Sequence, residues 1–92
     1  IVAAAVSLDL TDTGCRSGRV ALGGVDARPI RVPEAEAILA RGAPPGDELF
    51  ADCADAAAAA IDPPSDGHGS AEYRRTLTRT LIQRACRAAV RG

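Results

Sequence analysis

The feature that most restricts this chain is a change of hydrophobic rhythm at Pro33. Before it, apolar residues recur at every second position; after it, they recur at steps of three and four. Val2, Ala4, Val6, Leu8 and Leu10 share one parity, while Ala3, Ala5, Ser7 and Asp9 share the other. That alternation predicts a strand over about 1–10 with one buried face. Thr11-Asp12-Thr13-Gly14 is turn chemistry, with Gly14 free to take a positive φ. Gly18 marks the return, and a second strand is expected over about 19–25, with Val20 and Leu22 inward. Gly23-Gly24 suggests a bulge or a close backbone approach. A third strand is expected over about 27–32, with Ile30 and Val32 in and Arg31 out. Pro29 cannot donate to a ladder, which puts this strand at or beside a sheet edge.

Three helices follow, over about 33–41, 47–61 and 71–91. Pro33 suits the first helical position, and Glu34 and Glu36 sit near the positive end of the dipole. Ala35, Ile38 and Leu39 form the buried stripe, and Gly42 is a natural C-terminal cap. Pro44-Pro45-Gly46 reads as a linker, and Asp47 as the cap of the second helix. Phe50, Cys53, Ala54, Ala57, Ala58 and Ile61 fall on one face of that helix. The last helix, capped by Ser70, is expected to bury a seam of Tyr73, Leu77, Leu81, Ala85 and Ala88, widened by Ile82, Cys86 and Ala89. The fold class is therefore α+β, in the order βββααα: a three-stranded antiparallel sheet, because the strand connections are short, packed on three helices.

Ninety-two residues make one domain, 1–92. With one Phe, one Tyr and no Trp or Met, its core must be built from Leu, Ile, Val and closely packed Ala. A net charge of −1 removes any bulk attraction to nucleic acid or membrane. No apolar run approaches the ~20 residues needed to span a bilayer. Cys15, Cys53 and Cys86 are far apart and odd in number, with neither disulfide nor zinc spacing. They read as small apolar fillers in a reducing, cytoplasmic compartment. The chain opens without Met in the middle of a strand pattern and is read as a fragment of a longer protein.

Candidate chemistry is sparse. Ser65, Asp66 and His68 lie in one Gly/Pro-rich loop, which supplies neither a rigid nucleophile nor an oxyanion hole. A hydrogen-bonded turn is the simpler reading, and one His without paired Cys makes a poor metal set. Gly23-Gly24 lacks phosphate-loop spacing and does not open a helix. No catalytic, cofactor-binding or metal residue is assigned. The last helix carries Arg74, Arg75, Arg79, Arg84, Arg87 and Arg91 against the single acid Glu72. Its arginines either pair with Asp52, Asp55 or Asp66 or form a contact surface for another domain or subunit. Tyr73, Arg74, Arg75 and Arg79 are the candidate interface residues, with Tyr73 also expected as a core anchor.

Three stretches, in this order, resemble one family. They are Arg19-Val20-Ala21-Leu22-Gly23-Gly24-Val25 with Ala27-Arg28-Pro29, then Val32-Pro33-Glu34-Ala35-Glu36-Ala37-Ile38-Leu39, then Asp62-Pro63-Pro64-Ser65-Asp66 with Gly69-Ser70-Ala71-Glu72-Tyr73-Arg74-Arg75-Thr76-Leu77. Together they resemble the C-terminal domain of the FAD-binding (medium) subunit of molybdenum hydroxylases of the xanthine dehydrogenase and aerobic carbon monoxide dehydrogenase type. The resemblance implies a structural and interface domain of an electron-transfer subunit. In such enzymes electrons pass from a molybdenum cofactor through iron–sulphur clusters to FAD and on to an acceptor. It implies FAD held mainly by upstream domains of the same subunit, no cofactor in this fragment, and molybdenum-binding and iron–sulphur subunits as partners. It carries over no FAD ligand. Cys15 and His68 match no functional position of the family. The alternative is an independent adaptor whose Arg-rich helix binds an acidic partner or nucleic acid.

Overall fold

A computed structural model describes residues 3–23, 29–61 and 71–91. Its elements are β1 (Ala3–Thr11), β2 (Gly14–Gly23), β3 (Ile30–Arg31), α1 (Pro33–Leu39), α2 (Asp47–Ala60) and α3 (Ala71–Val90). The strands form one antiparallel sheet in the order β1-β2-β3. Helix α1 lies against β2 and α3 against β1, while α2 joins α1 to α3. This is the expected βββααα arrangement.

The hairpin differs from its sequence reading in an informative way. β2 starts at Gly14 rather than Arg19, so Gly18 lies inside the strand. A Cβ at Gly18 would stand 2.5 Å from Leu39 Cδ1 and 3.1 Å from the Ser7 carbonyl oxygen. Glycine here is the place where α1 leans on the sheet, not a point of return. The ladder is irregular between Asp9 and Leu10, while the expectation at Gly23-Gly24 reaches Gly24, which lies outside the described residues. Asp9 pairs with Ser17 and Leu10 with Cys15, which leaves Arg16 as the extra residue of a β-bulge. Unbroken alternation from Leu22 through Val20 and Gly18 would turn Arg16 into the core. The bulge turns Cys15 in, fully buried, and leaves the Arg16 side chain 72% exposed. There Arg16 Nε donates to Asp9 at 2.8 Å.

Gly14 does have the positive φ expected of it, +136°. A Cβ there would come within 2.9 Å of the Gly42 and Ala43 carbonyl oxygens. The Cys15 N–H donates to Ala43 at 2.9 Å, so the link between α1 and α2 is tied to the start of β2.

The core lies between the sheet's inner face and the helices. It contains Cys15, Val20 and Leu22 from β2, Ala35 and Leu39 from α1, and the expected stripe of α2 together with Leu49. Ala4, Val6 and Leu8 of β1 pack against it. Leu10, expected inside, is 38% exposed beyond the bulge. Asp47 is the first residue of α2 rather than its cap, which is Gly46, and no side chain caps that end.

The buried stripe of α3 keeps Ile82 and Cys86 from its expected seam but is centred differently. It is Thr78, Ile82 and Cys86, each fully buried, with Leu77 and Leu81 only partly covered and Ala88 exposed. The steps of four place these three on one face. Thr78 can occupy that face because its hydroxyl donates to the Arg74 carbonyl at 2.8 Å, so it packs as an apolar residue would. Tyr73 is no core anchor: it is 60% exposed.

Candidate functional site

Chemistry-bearing side chains gather in three places. The first is the junction of α1 with the sheet. β3 ends at Arg31, and Val32 donates to the Val20 carbonyl at 3.0 Å before the chain turns into α1. The Val20 N–H is taken up by Glu36 Oε2 at 2.9 Å. The same carboxylate receives Arg31 through Nε at 3.0 Å and through Nη2, on Oε1, at 2.8 Å. A two-pronged guanidinium contact of this kind is directional and strong. The hydrogen bond from Arg31, with help from the Val20 N–H, holds the Glu36 carboxyl below the usual carboxylate range. Glu36 is a structural clamp between helix and sheet.

The second is the core around the three cysteines. Cys15 from β2, Cys53 from α2 and Cys86 from α3 are free, fully buried and close enough to influence one another. The hydrogen bond shared with Cys86, and then burial, push the Cys53 thiol well above its ordinary range. Burial also raises Cys15, whose Sγ donates to the Ser17 carbonyl at 3.4 Å. The same hydrogen bond acts the other way on Cys86, lowering its thiol against the opposing effect of burial, so Cys53 is the member of the pair that keeps its proton. Among the described residues, no group of three or more His, Cys, Asp or Glu is placed to hold a metal ion.

The third is the polar face of α3. Arg79 pairs with Asp55 at 3.5 Å and Arg87 with Asp47 at 3.2 Å, both carboxylates belonging to α2. Asp52 pairs with Arg41 instead, at 2.6 Å. Arg75 donates to the Ile61 carbonyl at 3.5 Å, across the junction with α2. Of the four candidate interface residues, Arg75 and Arg79 thus reach back to the α2 segment and Arg74 is half-buried, while Tyr73 stands out on the surface. Arg84 and Arg91 are exposed, with no carboxylate in ion-pair reach among the described residues. The sequence reading did not separate them from the other arginines, although their spacing from Tyr73 and Thr80 was visible. Ser65, Asp66, His68 and Ser70 lie outside the described residues. Among the described residues, no helix is long and apolar enough to cross a membrane.

A thin antiparallel sheet backed by three helices, with three cysteines buried in its core and arginines concentrated along its last helix, defines the class of protein as a small α+β domain of the order βββααα. The chain belongs to the CO dehydrogenase flavoprotein C-terminal domain family, whose pattern matches residues 1–89. It is 39% identical over 80 residues to the nicotine 6-hydroxylase medium subunit of Paenarthrobacter nicotinovorans, covering 87% of this chain and 28% of that protein. Its structure is similar to quinoline 2-oxidoreductase from Pseudomonas putida 86, with a TM-score of 0.84 at 32% identity over 96% of this chain and 32% of that one. It is likewise similar to the carbon monoxide dehydrogenase of Hydrogenophaga pseudoflava that lacks the Mo-pyranopterin moiety of its cofactor (TM-score 0.83, 31% identity, 94% of this chain and 30% of that one). The chain therefore spans roughly a third or less of the length of the proteins it matches.

Proposed function

We propose that this domain is the structural and interface module of the FAD-binding, electron-transfer subunit of a molybdenum hydroxylase. The observation that carries this reading is the match to a flavoprotein C-terminal domain family over nearly the whole chain, together with the same fold in quinoline 2-oxidoreductase and in a carbon monoxide dehydrogenase of the molybdenum-cofactor kind. FAD is held by other domains of the same subunit. The domain supports the flavin-binding part and meets molybdenum-binding and iron–sulphur subunits through α3, with Tyr73 exposed in its first turn and Arg74, Arg75 and Arg79 following it. Three sealed, unpaired thiols support a reducing, cytoplasmic setting.

The test is to purify the native gene product with whatever copurifies, and to measure its flavin and molybdenum content. The expected result is one FAD per copy of this chain and molybdenum in the associated subunit. A flavin-free product, with no molybdenum-containing partner, overturns the reading. An independent nucleic-acid adaptor is not favoured, because Arg79 and Arg87 are neutralised by α2 carboxylates and aromatic stacking groups are nearly absent.

A further inference from the structure

Two of the three core cysteines meet across the contact between α2 and α3. Cys53 lies on the buried face of α2, and Cys86 ends the buried stripe of α3. Both are free, both are fully buried, and they share a hydrogen bond. Ion pairs fix how the helices sit there. Asp47 meets Arg87 and Asp55 meets Arg79, so the helices run antiparallel, and each cysteine lies within the span that these pairs tie. Small side chains stand beside both thiols, Ala54 and Ala57 on α2 and Ala89 one turn along α3, which lets the two backbones approach. A disulfide needs Cα atoms roughly 4.4–6.8 Å apart, and helix contact over small residues favours such a span.

The two thiols are chemically unequal. Their hydrogen bond favours negative charge on Cys86 and the proton on Cys53, so Cys86 holds the more nucleophilic sulphur. Cys15 is engaged elsewhere: its Sγ donates to the Ser17 carbonyl at 3.4 Å, and it acts on Cys86 through charge rather than through a hydrogen bond. Burial restricts the attacking agent to one that is small and uncharged. Hydrogen peroxide is both, and α3, held along a single stripe, is the element whose local opening admits it.

We propose that Cys53 and Cys86 form an oxidisable pair, reduced at rest, which hydrogen peroxide converts to a disulfide that staples α3 to α2. In the first step the Cys86 sulphur attacks one peroxide oxygen. The O–O bond breaks, Cys86 becomes a sulfenic acid, and the other oxygen leaves as water. In the second step the Cys53 sulphur attacks the Cys86 sulphur. The S–O bond breaks, and the hydroxyl leaves with the Cys53 proton as a second water. Two thiols and one peroxide thus give one disulfide and two waters, with each sulphur losing one electron and the peroxide gaining both. A dithiol reductant reverses the link by thiol–disulfide exchange.

The experiment uses the native gene product, purified with reductant, freed of it and treated with hydrogen peroxide. Peptide mapping without reduction should find Cys53 joined to Cys86, and dithiothreitol should release the link. Cys15 should remain open to alkylation once the protein is denatured. Amide hydrogen exchange along α3 is expected to slow about tenfold or more in the oxidised protein, because the staple opposes local opening. Cys53→Ala removes the second sulphur, so dimedone, which traps sulfenic acids, should then label Cys86. Cys86→Ala should leave Cys53 unlabelled. Mapping of the unaltered protein needs neither variant to fold. Cys53 and Cys86 both still open to alkylation after peroxide overturn the pair. So does a link from either one to Cys15 or to any other cysteine, or a link that forms only after unfolding. A link that leaves α3 exchange unchanged overturns the staple, and dimedone on Cys53 in place of Cys86 overturns the order of attack.

Discussion

Helices α2 and α3 lie side by side and solve different problems. α2 buries Leu49, Phe50, Cys53, Ala54, Ala57 and Ala58 within 14 residues, with α1 on one flank and α3 on the other. α3 is longer, at 20 residues, yet fully buries only Thr78, Ile82 and Cys86. Alanine lets helices approach closely, so α2 is held by fit from both sides and has little room for change. α3 is held along one stripe, and the rest of its circumference is left for arginines. The contrast shows where stability resides and where a partner can be met without disturbing it.

The sharpest challenge to this contrast is Ile82→Ala. It removes the central residue of the only fully buried stripe of α3 and should cost about 2–5 kcal/mol in chemical denaturation. A loss below about 0.5 kcal/mol would mean α3 is barely anchored. Ala57→Leu tests the other helix by overpacking, with an expected loss of about 1–3 kcal/mol. A neutral result would show that the alanine face has slack. Leu81→Ala, beside the stripe and only partly covered, should fall below Ile82→Ala, at about 1–2 kcal/mol. The reverse ranking would mean the helix is rotated from the orientation described.

Glu36 supplies a comparison outside both helices. Its carboxyl is held down in the folded state, so its contribution is present above the unfolded carboxyl range and is lost as pH falls through the lower folded value. Glu36→Gln should cost about 1 kcal/mol at neutral pH. It should also flatten the fall in melting temperature as pH drops below about 4.5. An unaltered acid limb would show that the Arg31–Glu36 contact is not a source of pH dependence. The smallest effect is expected at Arg84→Gln, which should change the stability of the isolated domain by less than about 0.5 kcal/mol.

The α2 face was legible because its residues agree at every level: apolar or small side chains at helical spacing, in the strongest helix-forming composition of the chain. The α3 face was legible only in part: Ile82 and Cys86 were expected at the margin of its seam and lie at the centre, while Thr78 was not expected. Tyr73, Leu77 and Leu81 are the larger apolar side chains, and periodicity favoured them over Thr78. The choice was decided by a hydroxyl bonding back to its own helix, which hides the polarity of Thr78 from the core. The hairpin shows the same division. Alternation located both strands, but it could not place the bulge at Arg16, because an inserted residue leaves the types around it unchanged.

Hydrophobic period, turn chemistry and the ordered family stretches together determined the class of fold, the order of its elements and the family. Those properties follow from which residue types stand at which intervals along the chain. Only the tertiary structure decided that three distant cysteines share one core, that Gly18 is the contact point of α1, and that Arg16, Arg31, Arg41, Arg79 and Arg87 are matched by carboxylates. These depend on which surfaces meet in space, and spacing along one element carries no record of what the neighbouring element presents to it.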